Sequence, residues 1–170
     1  MIKFIKLIIA IAMLYGFVNT VWNLWVSNTK ITPESASCLM DTVEVMDLYA
    51  GAYFAWYDGA ETATDTDDII ALLGNFRKTV DETGPPSCAF SENDRPAALE
   101  PREWDNLFEV VPTMARQAAL TFIDSIEECL LLRDLDDLCL DKATAHEEAF
   151  QAIVARFEDL MVKGQFWEAQ

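Results

Sequence analysis

The sequence predicts an all-α fold: a single N-terminal transmembrane helix, or a signal segment in its place, followed by a disulfide-stapled bundle of about four helices. Three observations predict it. From Ile31 onward the apolar residues recur at steps of three and four, and no stretch carries the alternation of a strand. Gly and Pro number only 6 each in 170 residues, while 52% of the chain is hydrophobic, a balance that suits helices over a turn-rich β-architecture. Four cysteines follow an export-type apolar segment, the setting in which disulfides form and persist.

Residues 1–30 form the first unit, a signal-anchor segment. Lys3 and Lys6 give it a basic start, and an apolar run continues through Trp22, Leu24, Trp25 and Val26. A helix from Phe4 to Val26 would span roughly 30 Å, the thickness of bilayer hydrocarbon. Retention is favoured over cleavage on three grounds. The positions before Ser27 or Asn28 hold Trp, Leu or Val where a signal peptidase needs small residues. Trp22 and Trp25 stand where interfacial anchors stand. Ala12, Gly16, Asn19 and Asn23 recur at helical spacing, a small and polar stripe that lets another helix approach in lipid. The lysines place the N-terminus inside and the remainder outside the membrane. The alternative is an ordinary signal peptide whose removal leaves a soluble periplasmic or secreted protein.

Residues 31–170 form the second unit, an acidic helical bundle. All 29 acidic residues fall here, against nine basic ones, a formal charge of −20. Such a surface repels phosphate backbones, so no nucleic acid is expected as a partner, and a basic protein suits it better. Divalent cations are a further alternative, and simple solubility in high salt is the favoured reading of the acidity.

Thr32-Pro33-Glu34 predicts a helix start, with a capping hydroxyl and a proline in the first turn. The helix should run to about Asp58 and stop at Gly59. "TDTDD" (64–68) predicts the cap of a second helix with Ile69, Leu73, Phe76 and Val80 as its core stripe, ended by Gly84-Pro85-Pro86. Residues 85–94 read as a loop ordered around Cys88. Pro101 opens a third helix with Trp104, Phe108, Val111, Ala115, Phe122 and Cys129 on one face, which Pro112 should kink or split. "RDLDDL" (133–138) makes a turn, and a fourth helix runs from about Leu140 to Lys163 with Gly164 as its stop. The tail is expected to fold back through Phe166 and Trp167. Of three possible pairings, Cys38–Cys88 and Cys129–Cys139 best fit this order: the first pins the long loop to the first helix, the second staples a helical hairpin.

Chemistry-bearing motifs are scarce. The one histidine, His146, starts "HEEAF", which lacks the second histidine of HExxH; its place on the Phe150 stripe reads as structural. ExxH, GxSxG, Walker and Rossmann patterns do not occur, so no catalytic residue, metal ligand or cofactor is assigned. Acidic clusters at 58–68 and 127–141 lack the EF-hand ligand order and read as helix capping. One binding candidate stands out. "YAGAYFAWY" brings Tyr49, Tyr53, Phe54, Trp56 and Tyr57 into nine residues, which can fill a core, line an apolar pocket or present an interface. The expected function is therefore a non-catalytic one: a membrane-anchored accessory or assembly subunit of a membrane protein complex. The alternative is a cleaved helical binding protein for a small apolar ligand or a basic protein.

Overall fold

The computed structural model describes residues 31–132 and 137–166. The stripe of Ala12, Gly16, Asn19 and Asn23, the turn at 133–136 and Trp167 lie outside them. The described chain is all-helical: α1 (Pro33–Thr62), α2 (Thr66–Glu82), a 3-10 turn (Glu92–Asp94), α3 (Pro101–Asp105), a π turn (Asn106–Val110), α4 (Val111–Leu132) and α5 (Asp137–Lys163). Because α3, the π turn and α4 follow without a break, the bundle has four long rods. Among the described residues no helix is long and apolar enough to cross a membrane.

Local chemistry sets the starts. Thr32 caps α1 by accepting from the Ser35 N–H, and Asp65 caps α2 by accepting from the Asp68 N–H at 2.9 Å. At α3 the Glu100 N–H donates to the Glu103 carboxylate at 2.9 Å, one half of a capping box, with Pro101 in the first turn.

Two predicted helix features differ, each for a packing reason, while α5 ends before Gly164 as predicted, with the left-handed backbone one residue further on. Gly59 does not stop α1. A Cβ there would lie 2.7 Å from Leu72 Cδ1, so the glycine serves the close approach of α2 while the helix runs on to Thr62. Pro112 does not interrupt the helical run. The π turn ahead of it, with the Val111 N–H bonded to the Asn106 carbonyl, widens the helix where the proline ring would press on the carbonyl of Phe108. At the end of α5 the left-handed residue is Gln165 (φ 56°), not Gly164. The Gln165 N–H bonds to the Val162 carbonyl and the Phe166 N–H to the Met161 carbonyl, both at 3.0 Å, closing a Schellman motif. Gly164 is needed instead because the Phe166 ring folds over it and would clash with a Cβ there.

Two aromatic clusters fill the core. One gathers Tyr53, Trp56, Phe76, Phe122 and Phe150 from four helices around the Tyr53 ring. The other stacks Phe90 on Phe108 at 4.4 Å and sets Trp104 against both rings and Phe166. Phe90 comes from the loop, which is tied to α1 by the Cys38–Cys88 disulfide, and Cys129–Cys139 joins α4 to α5. Further bonds hold that loop. Asp94 accepts from the Thr32 hydroxyl at 2.5 Å, Ser35 Oγ accepts from the Ser91 N–H at 2.8 Å, and Trp104 Nε1 donates to the Ser91 carbonyl at 3.1 Å. Burial works to raise the Asp94 carboxyl, but the hydrogen bonds from Ser35 and Thr32 prevail and hold it below its usual value.

Candidate functional site: an aromatic and acidic flank

The ring run of α1 divides by its angular position on the helix. Tyr49 is fully buried and donates its hydroxyl to the Thr83 carbonyl at 2.5 Å, closing the end of α2. Tyr53, 1% exposed, and Trp56, 8% exposed, belong to the core. Phe54 and Tyr57 are partly exposed, with centroids 5.2 and 6.1 Å from the Tyr53 ring. Three of the five rings thus hold the bundle together, and two reach its surface.

Tyr53 brings chemistry to that surface. Its hydroxyl donates to Oε1 of Glu147 on α5, while Gln151 Nε2 donates to the Tyr53 hydroxyl at 2.9 Å and to the same Glu147 oxygen at 3.2 Å. Burial first, and then the Glu147 carboxylate, push the Tyr53 phenol far above its ordinary pKa. These bonds matter for the architecture. α1 packs on α2 and α4, and α5 packs on α4, but the backbones of α1 and α5 hardly approach one another. Side chains from Tyr53, Glu147 and Gln151 bridge that open side.

The α1 flank above the bridge is acidic. Asp47, Phe54, Tyr57 and Glu61 follow at steps of seven, three and four, so they share one side of the helix, and none of them is buried. Burial raises the Tyr57 phenol, Glu61 raises it further by its charge and by accepting a hydrogen bond from the hydroxyl, and the charges of Glu147 and Asp58 add to this. Glu147 Oε2 accepts no hydrogen bond from a described residue, whereas Oε1 is fixed by two donors.

Most cations among the described residues are engaged elsewhere. Arg77 of α2 pairs with Asp124 and Glu127 of α4, and Arg116 of α4 holds Asp81 and the Val80 carbonyl. Arg156 and Lys163 of α5 meet at Glu103, Lys142 pairs with Glu128, and Lys78 with Glu82. None of these pairs includes Asp47, Asp58, Glu61 or Glu147. With so few bases, using them as cross-helix ties leaves the α1/α5 side negative.

Sequence reasoning missed Glu147 and Gln151. The signal was their spacing of four on the stripe of Phe150, which puts both on one side of α5. His146 is partly buried beside them, as its stripe position suggested. The four cysteines are all in disulfides. Cys38 and Cys88 also border an open cleft of about 380 Å³, with Pro33, Glu34, Ser37 and Ala89, which contains none of the aromatic residues. Among the described residues no group of three or more His, Cys, Asp or Glu is arranged to hold a metal ion. No family model, no curated protein and no solved structure matches the chain.

Proposed function

We propose that this protein is a membrane-anchored accessory or assembly subunit, non-catalytic, whose acidic bundle stands outside the membrane and engages a partner in a membrane protein complex. The observation that carries the reading is the α1/α5 flank, where Phe54 and Tyr57 reach the surface among carboxylates that no described cation neutralises. Partly exposed rings beside carboxylates without a described cation favour a surface for a partner over an enclosed ligand pocket. The small and polar stripe of Ala12, Gly16, Asn19 and Asn23 supports a second contact, within the membrane.

The test is the intact mass of the protein recovered from its native membrane fraction, before and after reduction and alkylation, together with the proteins that co-purify. A full-length mass and a co-purifying membrane protein support the reading. Release of that protein by Gly16→Leu with Asn23→Leu would assign the stripe its role. A chain beginning near Ser27, recovered without companions, sinks the anchor and the complex alike.

A further inference from the structure

We infer that the loop from Arg95 to Arg102 docks on anionic phospholipid headgroups, with the two arginines on lipid phosphates and the exposed tip, Ala97 and Ala98, toward the bilayer. The inference rests on the membrane-anchored reading, and names the lipid chemistry that the bundle meets.

Three observations converge on this loop. The first is charge. Among the described residues every base except Arg95 and Arg102 is held in an ion pair with a carboxylate, and these two stand at either end of one loop. The second is local order. Arg95 Nη1 donates to the Leu99 carbonyl, while its Nε is buried without a partner. The Leu99 N–H closes the turn on the Pro96 carbonyl at 3.0 Å, and the Leu99 side chain is buried, so a small apolar tip sits on a fixed base between two cations. A guanidinium presents paired donors that match phosphate oxygens, and its charge does not depend on pH.

The third is position. Asp94 accepts from the Thr32 hydroxyl at 2.5 Å, so the loop lies against the start of α1. The apolar run ends at Val26, and Ile31 packs against the core. The five residues from Val26 to Ile31 span at most about 18 Å, which keeps this end of an anchored bundle beside the headgroups. Asp58, where one acidic cluster begins, stands about 40 Å away along α1. The contact of Trp56 with Phe122 sets the end of α4, and with it Glu127 and Glu128, toward the same far end. Repulsion by an anionic surface therefore falls mainly on the end held away from it. Glu34, Glu92 and Glu100 are exposed near the loop, and Asp94 is buried beside it, so the arginines must meet phosphate directly and not through a long-range field.

The experiment places the full chain in lipid nanodiscs of phosphatidylcholine, with or without phosphatidylglycerol, and follows hydrogen exchange at the Ala97 and Ala98 amides. Phosphatidylglycerol should slow exchange there, and Arg102→Gln should reduce the slowing about fivefold, the scale for one arginine at an anionic surface. The Arg102 side chain has no hydrogen bond or ion pair with a described residue, so this variant carries the test without loosening the loop. Arg95→Gln added to it should abolish the difference between the discs, and circular dichroism confirms that each variant is folded. Equal exchange in the two discs, or a difference undiminished in Arg102→Gln, overturns the docking. Equal slowing by inorganic phosphate in phosphatidylcholine discs assigns the loop to a free anion and overturns it too. The two ideas fail separately. Equal exchange in a chain that stays in the discs removes the docking and leaves the anchor. A chain cleaved near Ser27 whose loop is still protected on phosphatidylglycerol vesicles does the reverse.

Discussion

The hydroxyl of Tyr53 on α1 is bonded to the carboxylate of Glu147 on α5, across a side of the bundle where the backbones of the described rods make little contact. A buried ring thus carries a polar tip to the surface, and the same bond positions Glu147. Tyr53→Phe removes the donor and also the acceptor used by Gln151. We expect a loss of about 1–2 kcal/mol, the net worth of a buried hydrogen-bonded hydroxyl, read from urea denaturation. The phenol also predicts an alkaline limit. Its folded pKa is raised, so its contribution is complete below the unfolded value near 10 and is lost as pH rises beyond it. Absorbance at tyrosinate wavelengths should report Tyr53 ionising only as the protein unfolds. Ionisation of all the tyrosines in a still-folded chain would contradict this.

Asp47 is the acidic counterpart. It is partly buried on α1, and burial raises its carboxyl from 3.8 to about 6. A raised carboxylate prefers the protonated folded state, so stability falls as pH rises from about 4 to about 6 and is level above that. Asp47→Asn should therefore stabilise the protein at pH 7 by about 2 kcal/mol, after allowance for partial exposure, and by almost nothing at pH 4. Melting curves of both proteins from pH 4 to 7 test it; parallel curves would mean that Asp47 is solvated.

The disulfides should differ in weight. Cys38–Cys88 closes 50 residues and Cys129–Cys139 only 10. Chain entropy assigns the longer loop about 4 kcal/mol and the shorter about 3. Replacing Cys38 and Cys88 by serine should lower the melting temperature by roughly ten degrees, and replacing Cys129 and Cys139 by somewhat less. The loop should stay docked in the first variant, since Asp94, Ser35 and Trp104 still hold it. Protection of the Ser91 and Asp94 amides from hydrogen exchange would show this. Their complete loss would make the disulfide the sole tether.

Much of this architecture was legible because helix starts are local. Thr32 and Asp65 accept from amides within one turn of themselves, Pro101 presets the backbone of the first turn, and all three were readable. What escaped depends on distant residues. Gly59 reads as a stop until Leu72 is known to press on it, and Pro112 reads as a break until the π turn absorbs its ring. The candidate site was legible only as a group of rings. Five aromatics within nine residues point all round a helix, and α2, α4 and α5 decide which are enclosed. Glu147 carries no signal of its role in "HEEAF", because its partner Tyr53 lies 94 residues away.

The end of α5 supplies the last prediction, since it separates two roles that a terminal glycine usually combines. Gln165 has the left-handed backbone, and Gly164 has the contact with Phe166. Gln165→Gly relieves the left-handed residue and should stabilise the protein by about 0.5–1 kcal/mol. Gly164→Ala must displace the Phe166 ring, which is 8% exposed and packs at 5.9 Å from Trp104. Losing that ring from the second cluster should cost about 2 kcal/mol, the scale for exposing a buried phenylalanine side chain. Urea denaturation of both variants, with Trp fluorescence as the signal, gives opposite signs if the roles are divided in this way. Destabilisation by both would mean that the turn depends on the Gln165 side chain, and stabilisation by Gly164→Ala would mean that Phe166 does not hold its place over the helix end.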